Sequence, residues 1–280
     1  MQNDSITVIS SKRKLFNLNL KELWKYRDLI LLFVKRDLKN SYKQTILGPL
    51  WIVINPFLST FVFTVIFGII ANISTDGMPQ FLFYMSGNIL WSFFSNCLNR
   101  SSSTFLGNAR MFGKVYFPRL VMPIAGILYN SVTFIVQFTM YFILVLIYMF
   151  AGANVQPNLL ALLMPILLLQ TALFGTAIGL IITSVTTKYR DLNILVSFGV
   201  SLWMYLTPVV YPISQVPEKL RTILFLNPVA PIVETLRYAF LGSGTFEPVY
   251  LIISMVVTAL FLIIGIVVFN QVEKNFIDTV

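Results

Sequence analysis

This chain of 280 residues has no histidine, one cysteine and only 11% charged residues. Without His, and with Cys97 alone, most metal sites and any internal disulfide are excluded. Cys97 itself falls within an apolar run, where a thiol serves as a small buried hydrophobe. Neither HExxH nor CxxC occurs, and no carboxylate pair lies inside the long apolar runs. The acids nearest to them, Asp191, Glu234, Glu247 and Glu273, are scattered along the sequence. A proton relay needs ionisable groups at mid-membrane, so their absence disfavours a proton-driven carrier. A nucleotide site is missing as well. Residues 107–114 read G-N-A-R-M-F-G-K, but five residues separate the glycines where a P-loop has four, and Val115 stands where Ser or Thr would hold magnesium. The chain alone is expected to hydrolyse no nucleotide and to carry no cofactor.

What is present is apolar. Hydrophobic residues make up 57% of the chain. Six long runs stand out, at 50–71, 80–98, 120–150, 159–186, 192–211 and 249–270, none with an Asp, Glu, Lys or Arg. Each has about the 20 residues that a helix needs to cross a hydrocarbon core. The predicted class is therefore all-α: a polytopic membrane protein of six spans in one domain (50–273), preceded by a polar segment (1–49). Residues 1–20 lack an apolar core and predict no cleavable signal; the first span is expected to stay as an anchor.

Positive charge lies almost entirely on one side of these spans. Ten of the twenty Lys and Arg fall in residues 1–49, followed by Arg100, Arg110, Lys114, Arg119, Lys188, Arg190 and Lys274. The opposite connections hold Lys219, Arg221 and Arg237. The positive-inside rule predicts both termini in the cytoplasm. The net charge of +9 follows from this bias and does not point to nucleic acid.

Three segments outside the spans carry their own pattern. Residues 20–45 predict a helix mixing Leu, Trp and Phe with Lys and Arg, suited to the cytoplasmic membrane surface or to packing on the other helices. Residues 104–115 predict a short cytoplasmic helix whose apolar residues, Phe105, Leu106, Met111 and Phe112, call for a cover: the membrane or a soluble partner. Between spans five and six, residues 217–226 and 231–241 predict two short apolar helices, too short to cross. They read as re-entrant gate helices at the outer mouth, or as a hairpin on the outer interface. Span two interleaves aromatic and small polar residues. Tyr84, Asn88, Trp91, Phe94 and Asn96 are candidates for a sugar-binding path; the alternative is an aromatic belt with interhelical contacts.

Several motifs in fixed order resemble one family. They are Arg36-Asp37-Leu38-Lys39 with Tyr42-Lys43-Gln44-Thr45; Leu47-Gly48-Pro49-Leu50-Trp51 and Pro56; Gly107-Asn108; Lys114-Val115-Tyr116-Phe117-Pro118-Arg119 and Pro123; Tyr189-Arg190-Asp191; Thr207-Pro208-Val209-Val210-Tyr211-Pro212; and Leu226-Asn227-Pro228. From about residue 20 to 273, the chain resembles the permease subunit of type-2 ABC exporters for bacterial polysaccharides (O-antigen, capsule or teichoic acid). The resemblance implies an inner-membrane homodimer of permeases joined to two copies of a nucleotide-binding ATPase, which would hold ATP and magnesium. The cargo would be a lipid-linked polysaccharide. Asn108, Arg110, Met111, Phe112 and Lys114 would belong to a coupling helix that docks on the ATPase. Tyr205, Tyr211, Asn227 and Pro228 would lie at the outer gate, and spans two and five would meet a second copy. An exporter of lipid or drug, an ion-coupled carrier and a membrane scaffold are the rival classes.

Overall fold

The computed structural model describes residues 20–43, 45–187, 189 and 191–279, without the side chains of Leu20, Tyr42 and 274–279. Expectations placed on residues 1–19, Gln44, Lys188, Arg190 and the Lys274 side chain lie outside the described residues. Among the described residues the fold is all-helical, 79% helix with no strand.

Eleven α-helices are described: α1 (Leu20–Lys25), α2 (Arg27–Tyr42), α3 (Trp51–Phe63), α4 (Gln80–Ser102), α5 (Thr104–Phe112), α6 (Val121–Phe150), α7 (Met164–Thr186), α8 (Leu192–Tyr205), α9 (Glu218–Phe225), α10 (Val229–Leu241) and α11 (Pro248–Thr279). Four stretches have the length and apolarity to cross a membrane: Gly48–Ile70, Val121–Phe150, Leu159–Thr186 and Pro248–Glu273. Helix α4 has the length, but its Ser and Asn residues lower its hydropathy. At 14 residues, α8 spans only about 21 Å of rise, less than a ~30 Å core. The expected span 192–211 is thus helical only to Tyr205. Pro208 ends it, because a proline lacks the amide proton and disfavours helical geometry at the residue before it.

Helix α4 is the central strut. Its Leu82–Leu98 stretch is almost wholly buried, enclosed by α3, α6, α7, α8 and α10. Close approach to α7 depends on Gly175 and Gly179, spaced G-x-x-x-G. A Cβ on Gly179 would stand 2.5 Å from the Leu98 carbonyl oxygen. On the opposite side of α7, a Cβ on Gly265 of α11 would stand 2.7 Å from the Ala177 carbonyl oxygen. Small residues at both contacts let three backbones pack without a hydrophobic driving force between helices. Polar pins cross the same bundle: Asn88 Nδ2 donates to Ser59 Oγ at 2.8 Å, Gln170 Nε2 to Ser254 Oγ at 2.6 Å, and Gln137 Nε2 to the Ile52 carbonyl at 3.2 Å.

The single helix expected over 20–45 is broken at Tyr26 into α1 and α2. Its Leu23, Ile30, Phe33 and Val34 face is buried with Phe117, Val121 and Ala125 at the start of α6. Trp24, Leu31 and Leu32 remain exposed beside Arg27 and Lys35. Asp37 fixes the seat. It pairs with Arg36 at 2.8 Å and with Arg100 at the end of α4, while the Arg100 guanidinium lies 4.2 Å from the Tyr129 ring centroid. The Arg-Asp motif near the start of the chain therefore docks α2 onto α4 and α6.

Candidate functional site

Two places gather the residues singled out in the sequence. The first is α5, at the same end of the bundle as α2. Its apolar residues are covered by the chain itself. Phe105 is fully buried and stacks on Phe269 of α11 at 4.7 Å. Phe112 is half-buried against Phe117 at 5.5 Å, beneath the Arg119 guanidinium at 5.6 Å. Met111 joins the cluster that seats α2. Asn108 turns back, donating from Nδ2 to the Thr104 carbonyl at 2.9 Å. Gly107, Arg110, Gly113 and Lys114 are left exposed. The expectation that membrane or partner must cover Phe105 is corrected, because α7 and α11 bury it; Phe112 is half-covered by the cluster of α2 and α6. What α5 offers outward is a small basic surface.

The second place is the opposite end, where α8 stops. Tyr205 is exposed, and the Tyr211 hydroxyl donates to its carbonyl at 3.2 Å. Asn227 Nδ2 donates to Thr207 Oγ1 at 2.8 Å, while its Oδ1 accepts from the Val229 amide at 3.2 Å and caps α10. Pro228 is buried at the start of α10. All four expected gate residues thus meet around the non-helical segment after α8. Beside it lies an apolar groove of about 500 Å³, walled by Leu206, Tyr211, Val216, Leu220, Ile223 and Leu224.

The two short helices differ in kind. Helix α9 exposes Leu220 and Ile223, with Leu226 just past its end, and buries mainly Phe225, which stacks on Tyr250 at 4.3 Å. Helix α10 is buried along its whole length except Tyr238, so it is no surface hairpin. At its centre sits Arg237, with no solvent exposure. Its guanidinium donates to the carbonyls of Pro208 at 2.6 Å and Val209 at 2.7 Å and to Glu234 Oε1 at 3.0 Å, with the Phe83 ring centroid 3.6 Å away. Arg237 is not a loop charge facing water, as the charge count treated it.

The helical family described as ABC-2 type transporter matches residues 28–241. The chain belongs to that family. This ABC-2 chain is 27% identical over 253 residues to the O-antigen export system permease protein RfbA of Klebsiella pneumoniae, covering 90% of this chain and 94% of the relative. It is 28% identical over 223 residues to the protein of the same name in Myxococcus xanthus, covering 79% and 83%. It is 24% identical over 241 residues to the polysialic acid transport protein KpsM of Escherichia coli, covering 85% and 91%. It is a multi-pass membrane protein.

Within this ABC-2 chain the candidate path residues of α4 face inward. Tyr84 and Phe94 are fully buried, and Trp91 and Asn88 nearly so. Trp91 and Phe94 form an aromatic cluster with Phe174 of α7 and Trp203 of α8, the Phe94 and Trp203 centroids 5.3 Å apart. Asn88 is held by α3. Only Asn96 is exposed. Span two is therefore enclosed within the chain and exposes little beyond its Asn96 and Asn99 edge. Helix α8 has the open face instead. Ser197, Ser201 and Tyr205 recur on it every fourth residue, all exposed, beside Ile194, Phe198 and Leu202. That spacing of small polar residues was readable in the sequence. The role of Arg237 was signalled only by an i, i+3 Glu234 and Arg237 pair in a largely apolar segment. Among the described residues, no group of three His, Cys, Asp or Glu side chains could hold a metal.

Proposed function

We propose that this chain is the permease subunit of an ATP-driven exporter that carries lipid-linked polysaccharide outward across the cytoplasmic membrane. The observation that carries this reading is the ABC-2 match over residues 28–241, joined to similarity over 85–90% of the chain with proteins named for O-antigen export and polysialic acid transport. The working unit is two permeases with two copies of a separate ATPase, which supplies the hydrolytic site.

In this reading α3, α4, α6, α7, α8 and α11 are six spans, with both termini in the cytoplasm. Helix α8 crosses as a broken helix completed by the buried segment 207–210. Helix α5 is the coupling helix. Its Gly107, Arg110 and Lys114 surface meets the ATPase, while Phe105 and Phe112 pass the motion to α11 and α6. Between two copies, the open face of α8 with Ser197, Ser201 and Tyr205 supports a wet path for sugars, since hydroxyl and aromatic groups suit a polyhydroxylated chain. Trp91 and Phe94 stand behind that wall against Trp203 and shape it, while Asn88 and Tyr84 pack on the stretch Gly48–Ile70.

Deleting the gene in its host tests the assignment. Surface polysaccharide should disappear, and lipid-linked glycan should accumulate inside the cell. Both should be restored by this chain only in the presence of an ATPase able to hydrolyse ATP. Magnesium-dependent ATP hydrolysis by the purified chain alone, or restoration without any ATPase, would refute it.

A further inference from the structure

Pro208 breaks α8 and leaves buried backbone that belongs to no helix. Thr207, Pro208, Val209 and Val210 are all buried. Water cannot satisfy such backbone away from the surface, so the protein must. Arg237 does so for two adjacent carbonyls, Pro208 at 2.6 Å and Val209 at 2.7 Å. Its planar fork allows two donations at once, which a lysine ammonium matches poorly. The same guanidinium reaches α4, with the Phe83 ring centroid at 3.6 Å and the Ser86 hydroxyl at 3.4 Å. Glu234, one turn back on α10, balances the charge. Gly87 of α4 makes room: a Cβ there would stand 2.9 Å from the Val209 carbonyl oxygen and 3.0 Å from Arg237 Nη2.

Both ends of α10 are fixed as well. Asn227 caps its start. At its end the Gln156 and Asn158 amides donate to the Leu241 and Ala239 carbonyls, and Asn158 Nδ2 donates to the Tyr238 carbonyl at 2.8 Å. Gly242, at φ 76°, turns the chain away. Among the described residues helix α9 is tied more lightly, by Arg221 to the Ser214 carbonyl at 3.3 Å and by Phe225 on Tyr250, and its Lys219, Leu220, Thr222 and Ile223 are exposed.

We propose that Arg237 is a positioning residue for the outer mouth, clamping segment 207–210, helix α10 and the first half of α4 into one rigid body. The clamp holds the Tyr205 and Tyr211 mouth in place from behind. Calling this end the mouth rests on the export reading above; the clamp itself is measured without cargo.

The full chain is placed in nanodiscs, which expose both faces, on a Cys97→Ser background. Maleimide labelling is then timed at Val210→Cys, inside the clamped body, and at Leu220→Cys on α9. The parent should label at position 210 at least about ten-fold more slowly than at 220. Adding Arg237→Lys should raise the rate at 210 about ten-fold and leave 220 unchanged. The pair Glu234→Met with Arg237→Met removes both charges together, so no lone charge is left buried to unfold the chain. It should still label fast at 210, because both carbonyls have lost their donor. Slow labelling at 210 in that double variant would overturn the proposal, leaving the pair a packing element alone. Should the double variant fail to accumulate, Gly87→Ala pushes the same seat from α4 with the charges intact. Faster labelling at 210 is expected, and an unchanged rate overturns the clamp. Equal acceleration at 210 and 220 in any variant would mean general loosening and would also overturn it. A chain that exports nothing can pass this test, and a failed clamp leaves the export assignment standing.

Discussion

Replacing Gly179 with alanine separates two opposing effects by sign. In an isolated helix, alanine is favoured over glycine by about 1 kcal/mol. Gly179, however, lies where α7 presses on α4. The added Cβ would stand 2.5 Å from the Leu98 carbonyl oxygen, 2.5 Å from Ser101 Cβ and 3.0 Å from the Ser102 amide nitrogen. Ordinary contact begins at 3.4 Å, so α4 would have to retreat by about 0.9 Å against backbone atoms that cannot rotate away. Overpacking of this kind costs about 1–3 kcal/mol. The net expectation is destabilisation by up to about 2 kcal/mol. Gly199 on α8 is the control: a Cβ there meets nothing within 4 Å, so Gly199→Ala should stabilise by up to about 1 kcal/mol. Unfolding in mixed micelles by added SDS, followed by tryptophan fluorescence, reads both. Gly179→Ala proving more stable than the parent, as Gly199→Ala should, would refute the close packing of α4 on α7. The retreat would also travel, because Ser101 and Ser102 lead directly into α5. Reduced coupling to the ATPase should accompany the loss of stability.

Arg110→Glu reverses a charge on the exposed side of α5 and should change stability by no more than about 0.5 kcal/mol, yet reduce co-purification with the ATPase and polysaccharide export. Full export by that variant would remove Arg110 from the docking surface. Asp37→Asn withdraws the carboxylate that pairs Arg36 and Arg100 and should cost about 1–3 kcal/mol; limited proteolysis should then release α1 and α2 sooner than in the parent. Asn88→Ala leaves the Ser59 and Thr60 hydroxyls without their donor and should cost about 1–2 kcal/mol, read in the same micelle titration. If Asn88 instead bound sugar directly, stability would hold and export alone would fall.

The helices and their order were legible because hydropathy measures the transfer of each residue from water to hydrocarbon, one residue at a time. The runs at 120–150, 159–186 and 249–270 became helices on that basis. The short helices expected at 217–226 and 231–241 appeared as Glu218–Phe225 and Val229–Leu241, because Pro217, Asn227-Pro228 and Gly242 punctuate the backbone locally. Family membership was equally legible in the ordered motifs. Facing was not. Aromatic and polar residues of span two fit a sugar path and a packed interior equally well by composition, and only the enclosure of α4 by its neighbours placed Trp91 and Phe94 inside. Phe112 looked exposed because the sequence does not say that α2 and α11 converge on α5.

The chain's own order of residues decided which segments leave water and where the backbone must break. Tertiary structure alone decided what each break would need: the carbonyls freed at Pro208 find their donor 29 residues later in sequence, in Arg237, because folding brings α10 against α4 and the end of α8. A cation counted along the chain belongs to the outer surface; the same cation in three dimensions lies at the centre of a buried polar contact. Local rules cannot supply that pairing, since the cost of an unsatisfied carbonyl and of a buried charge cancel only when the two are brought within hydrogen-bond distance.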